Sequence, residues 1–148
     1  MVAEPDGQAS WEVPLTDEGT AVIVGILADG SVVGQVPVKG RKDRQLVIWK
    51  KDQQMEILPW IAPKYCGAVD SATADMSRYA TFAAEDCDSD TGRWIVFDRT
   101  SQTAIADRLL SRNGRAALSP DGLRYASFEA GELRIYTLPG PQSVAKSR

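Results

Sequence analysis

The chain of 148 residues contains no histidine. That absence excludes Ser–His and Cys–His nucleophile activation, imidazole general-base chemistry and the commonest zinc ligand. Cysteine is scarce: Cys66 and Cys87 are the only two. Two thiols are too few for a zinc cluster of their own and fit either one disulfide or two separate buried thiols. No apolar run approaches the roughly 18 residues of a membrane span. The net charge is only -3, so the whole-chain balance does not call for nucleic acid or an anionic membrane. The first ten residues hold Glu4 and Asp6, no basic residue and no apolar stretch, unlike a secretory signal peptide. The expected compartment is therefore the cytoplasm or, if the chain belongs to a longer precursor, the periplasm or the extracellular space.

What is present is ordinary for a folded domain: 43% hydrophobic and 25% charged residues. The length suits a single domain able to bury a core. Inside it lies a repeat. Asp29, Asp75 and Asp121 recur at a spacing of 46 residues, each after a small residue or proline and before a β-rich run. A small residue (Gly34, Ala80, Ala126) stands five positions after each aspartate. Downstream, each unit has a short run ending in an aromatic, at Trp49, Phe97 and Tyr136. The distance from aspartate to aromatic varies, as it does when a loop between strands absorbs insertions.

Each unit reads as four strands. They are predicted at 20–27, 31–38, 45–51 and 54–60, then 67–73, 78–84, 93–99 and 103–109, then 115–119, 123–129, 132–138 and 142–145. Val, Ile and aromatics fill these runs, and Gly, Pro and Asp fill the gaps. The stretch 103–112 also fits a short helix, since Ile105 and Leu109 lie one helical turn apart. Its short length and its place as a fourth strand favour a strand. Residues 10–16, where Trp11, Val13 and Leu15 alternate with polar neighbours, read as an outer strand of a neighbouring unit. The expected organisation is one repeat domain over 1–148, with units at 19–63, 64–111 and 112–148.

Four antiparallel strands at this period are a β-propeller pattern. Ser119-Pro120-Asp121-Gly122, followed by Tyr125-Ala126-Ser127-Phe128 and the run from Leu133 to Tyr136, resembles the WD-like repeat of TolB-type β-propellers. The middle unit keeps the turn loosely, as Ala74-Asp75-Met76-Ser77. The first, with Gly34 and Trp49, is similar to the HAF-type extracellular repeat. The resemblance implies an all-β fold of about three propeller blades, of the kind found in periplasmic scaffold proteins and beside peptidase domains. It implies no catalytic residue. Propellers close with roughly four to eight blades. Three blades predict either part of a longer propeller or one member of an oligomer, in which two copies supply six.

Four features could carry chemistry. Asp86, Asp88 and Asp90 alternate in a loop, a spacing that suits calcium, although Gly92 arrives one place late and Phe97 stands where a calcium loop has its glutamate. The same pattern fits a solvated hairpin tip. Residues 39–44 form a basic loop in the corresponding place of the first unit. Arg41, Lys42 and Arg44, with Tyr65, are its candidate partner contacts, against the plainer role of a solubilising loop. Cys66 is predicted to face about residue 85 across the second unit, and a bulge would bring Cys87 opposite it, making a disulfide geometrically possible. Trp11, Trp49, Trp60 and Trp94 suit packing between units better than a stacking platform for ligands. The expected function is a non-enzymatic scaffold that binds a protein or peptide, without nucleic acid and without a cofactor unless the loop takes calcium. The alternatives are an accessory domain of a larger, hydrolytic enzyme and a lectin-like oligomer.

Overall fold

The structure, a computed structural model, describes residues 21–38, 40, 44–52, 54–60, 66–111 and 115–140. Among them are eleven strands and no helix. The first sheet is β1 (Val22–Ile26), β2 (Val32–Pro37), β3 (Arg44–Trp49) and β4 (Met55–Ile57). The second is β5 (Cys66–Ala72), β6 (Arg78–Ala84), β7 (Thr91–Asp98) and β8 (Thr103–Ser111). The third is β9 (Arg115–Leu118), β10 (Arg124–Glu129) and β11 (Glu132–Thr137). In every sheet each strand pairs antiparallel with the next in sequence. Of the ambiguous stretch 103–112, the described residues 103–111 are a strand: β8 runs along β7 from Thr103 opposite Asp98 to Ser111 opposite Thr91. The strands predicted at 10–16 and 142–145 lie outside the described residues.

The three repeated aspartates cap their turns in the same way. Asp29, Asp75 and Asp121 each accept, through Oδ1 at 2.9 Å, the backbone N–H two residues on, at Ser31, Ser77 and Leu123. A short polar side chain that satisfies its own backbone in this way ends one strand and starts the next. Thr73 and Ser119 reinforce the second and third turns, their hydroxyls donating to Asp75 and Asp121 at 2.8 and 2.6 Å. The residue after each aspartate has positive φ: Gly30 at 83°, Met76 at 57° and Gly122 at 71°. Glycine takes this conformation freely and methionine does not. Met76 is held there because its side chain, 3% exposed, is part of the core.

Strand alternation gives each sheet two apolar faces. From the first sheet, Val33, Leu46, Ile48 and Leu58 pack on Met76, Tyr79 and Phe97 of the second. From the opposite face of the second, Ala80, Trp94, Val96 and Leu110 pack on Leu118, Tyr125 and Leu138 at the third. The sheets therefore stack in chain order. Burying each large apolar side chain contributes about 1.5–3 kcal/mol. Aromatic contacts add direction, with Tyr79 stacked on Phe97 at 5.5 Å and Trp94 against Tyr125 at 4.8 Å.

One buried cation joins the second sheet to the third. Arg78, 4% exposed, donates from Nε to Asp98 Oδ2 at 3.1 Å and from Nη1 to the Gly122 carbonyl at 2.6 Å. Asp98 also accepts the Ser101 N–H at 2.9 Å. A buried guanidinium is tolerable only when its charge and donors are met, and removal of one partner of such a pair costs about 3–5 kcal/mol. Arg78→Met is therefore expected to lower unfolding stability by about that amount, read as a drop in the urea midpoint with an unchanged slope. The turn carboxylates set the acid limit. Hydrogen bonds from Ser77 and Thr73 hold Asp75 at about 2, and similar bonds from Ser31 and Ser119 lower Asp29 and Asp121. Depressed folded values mean that this stability is complete above the ordinary carboxylate pKa of about 4. It is lost as pH falls from there toward 2. Asp75→Asn, which keeps the acceptor but not the charge, should flatten that acid limb in pH-dependent melting.

Candidate functional site

Two hollows lie at the junctions between sheets, at opposite ends of the strands. The first, of about 380 Å³, sits between the first and second sheets at the end of the aspartate turns, beside Asp29, Lys50, Asp75 and Arg99. Its charges answer one another. Arg99 donates to both oxygens of Glu56, at 2.9 and 2.6 Å, and Lys50 Nζ stands 3.7 Å from the same carboxylate. The Arg99 guanidinium holds the Glu56 carboxyl below its ordinary range. This bidentate pair ties β4 to the turn after β7 and reads as a clasp between sheets.

The second hollow, of about 690 Å³, lies between the second and third sheets at the other end. Phe82, Trp94 and Leu110 line it from the second sheet, and Ala116, Ser127 and Phe128 from the third. Register explains the placement. Phe82 pairs with Trp94 next to the β6–β7 connection, and Phe128 pairs with Leu133 next to the tight β10–β11 turn. Two polar groups reach this apolar space. Asp70, the bulge residue of β5, accepts the Trp94 indole N–H at 2.9 Å. The Ser127 hydroxyl, in a residue 1% exposed, has no hydrogen-bond partner among the described residues. A mostly apolar wall with few polar groups is the ordinary make-up of a binding site.

Residues Glu85, Asp86, Asp88 and Asp90 form an exposed acidic connection at the same end as this hollow. Asp86 Oδ1 accepts the Asp88 N–H at 3.3 Å, and the Ser89 N–H donates to the Asp86 carbonyl at 3.0 Å. No group of three or more His, Cys, Asp or Glu among the described residues is placed to hold a metal ion. In this loop Asp86 spends Oδ1 on its own backbone. Arg44 opens β3 at the corresponding end of the first sheet, while Arg41, Lys42 and Tyr65 lie outside the described residues. Among the described residues no helix is long and apolar enough to cross a membrane.

Cys66 and Cys87 form a disulfide with Cα atoms 5.2 Å apart. The geometry differs from the expected cross-strand pair. The bulge at Asp70 sits on β5 and shifts the register so that Cys66 faces Ala84, away from Cys87. The bond closes because the chain turns back after β6 and returns Cys87 over the start of β5. It pins the base of the acidic connection. Trp49 and Trp94 are 5% and 1% exposed and belong to core clusters. The sequence reasoning missed Asp70, Phe82, Ser127 and Phe128. One signal was present: Phe82 and Phe128 both stand seven residues after a repeat aspartate.

Closing a loop of this size removes unfolded-state entropy worth about 3 kcal/mol. Reduction of the protein, or Cys66→Ala with Cys87→Ala, should lower unfolding stability by about that amount in urea titrations with and without a thiol reductant. Compared with known proteins, the chain matches no family model and no curated protein.

Proposed function

We propose that the three sheets are blades of a β-propeller-type repeat and that the chain is a non-enzymatic module that binds a protein or peptide segment. Support for the blade reading comes from the repetition: the same aspartate turn, the same strand order and the same stacking of one sheet on the next. The single observation that carries the binding reading is the hollow between the second and third sheets. It offers apolar walls, the free Ser127 hydroxyl, and the Glu85–Asp90 acidic connection at the same end. An apolar hollow beside clustered carboxylates suits a segment with apolar anchors and basic neighbours, because the anchors supply affinity and the charges supply orientation and rate.

The test compares two synthetic peptides of equal length, one rich in Leu and Lys and the other in Leu and Glu, by isothermal titration. The basic peptide is expected to bind and the acidic one not. Asp86→Asn with Asp90→Asn should weaken the basic peptide by about fivefold, the scale of exposed charge pairs, with a matching loss of salt dependence. Phe82→Ala should weaken it without changing the salt dependence. If neither peptide binds, or both bind alike and ignore these substitutions, the reading fails.

A further inference from the structure

Opposite charges stand at the two sides of the row of residues that floors the hollow between the second and third sheets. Phe82 on β6, Trp94 on β7 and Arg108 on β8 are paired in one row across the second sheet. Ala68 continues the row onto β5, two residues before the bulge residue Asp70. Phe82 and Trp94 line the hollow. So does Leu110, two residues beyond Arg108 and therefore on the same face of β8. The row thus runs from a carboxylate on β5, past two aromatic rings, to a guanidinium on β8.

Neither charge has a counter-ion among the described residues. Asp70 is exposed, and its carboxylate accepts the Trp94 indole N–H at 2.9 Å. The indole is a neutral donor, so the charge of Asp70 stays uncompensated. Arg108 is half-buried, with its guanidinium 4.1 Å from the centre of the Tyr136 ring. Hydrogen bonding to the Tyr125 phenol, and then to that of Tyr136, raises its pKa. No carboxylate among the described residues faces it, and its Nε is buried without an acceptor. Arg78, Arg93, Arg99 and Arg134 each hold a carboxylate, so Arg108 stands apart from them. A ring face meets the charge of a guanidinium but gives its planar fork of donors no acceptor.

We infer that the hollow takes the carboxyl terminus of its peptide, with the terminal carboxylate on Arg108 and a basic side chain, about three or four residues earlier in an extended chain, on Asp70. The inference rests on the peptide reading given above and adds the segment's end and direction. Neighbouring strands lie about 4.8 Å apart, so β5 and β8 are about 14 Å apart across three spacings. An extended chain covers that distance in about four residues at ~3.3 Å each. A carboxylate supplies the planar pair of acceptors that a guanidinium fork matches. Between the two charges, the apolar side chains of the segment lie on Phe82, Trp94 and Leu110, away from water.

Isothermal titration tests this with two Leu/Lys peptides of one sequence, one ending in a free carboxylate and the other in a carboxamide. The acid is expected to bind about tenfold more tightly or better, the scale of a hydrogen bond to a charged group. Arg108→Gln, shown to be folded by its circular dichroism, should remove that difference by weakening the acid alone. Arg108→Lys, which keeps the charge but not the fork, should keep part of it. Asp70→Asn still offers an oxygen to the Trp94 N–H. It should weaken a peptide with lysine at the fourth place from the end and leave one with leucine there unchanged. Equal binding of acid and amide by the wild-type protein overturns the inference and leaves the peptide reading standing. So does a preference for the acid that survives Arg108→Gln. Binding of neither peptide overturns the peptide reading, and this inference with it.

Discussion

A sheet with apolar side chains on both faces has to be covered on both. This constraint organises the molecule. The second sheet is the clearest case, with Tyr79 and Phe97 on one side and Trp94 and Val96 on the other, all buried. A sheet covered on one face only would expose large apolar areas to water, at about 25 cal/mol for each Å² left uncovered. Stacking the sheets in chain order answers the demand locally, since each partner is the next unit along the chain.

Polar groups fix how the stacked sheets sit on one another. Arg78 reaches from the second sheet to the Gly122 carbonyl in the turn of the third, and Arg99 reaches from the second to Glu56 of the first. Tyr79, whose phenol burial pushes up in pKa, donates to the Pro59 carbonyl at 2.6 Å. Hydrophobic packing is non-directional and sets only that the faces meet. These bonds choose the register in which they meet, because a charged or phenolic donor buried without an acceptor is costly. All three act at the aspartate-turn end. The opposite end is left for the hollow and the acidic connection, which the Cys66–Cys87 bond steadies.

Where residues depart from the repeat, local chemistry explains them. Met76 occupies a left-handed position that glycine fills in the other two turns, and its side chain completes the first core cluster. The left-handed backbone costs of order 1–3 kcal/mol for such a residue, and its burial offsets that cost. Asp70 sits at a bulge, which aims its carboxylate at the Trp94 indole.

The strands and turns were legible in the sequence. Asp29, Asp75 and Asp121 mark turns because an aspartate bonds its own backbone two residues on, an interaction within a few residues of chain. The strands followed from alternation and β-branched content, and 78–84 was placed to the residue. The junction aromatics Trp49, Phe97 and Tyr136 were recognised as a repeating feature. The small-residue repeat misled by one place: Gly34 follows its aspartate as Ala80 does, yet the first turn closes from Leu27 to Ser31, one residue shorter than Thr73 to Arg78. Val33 therefore takes the structural place of Ala80. Which face meets which neighbour, the hollow built by Asp70, Phe82 and Ser127, and the route by which Cys87 returns to Cys66 belong to tertiary structure alone. The physical reason is range. Turns and alternation depend on neighbours a few residues apart, whereas a one-residue change in turn length or a single bulge reverses every side chain beyond it, and only the packed sheets reveal where that has happened.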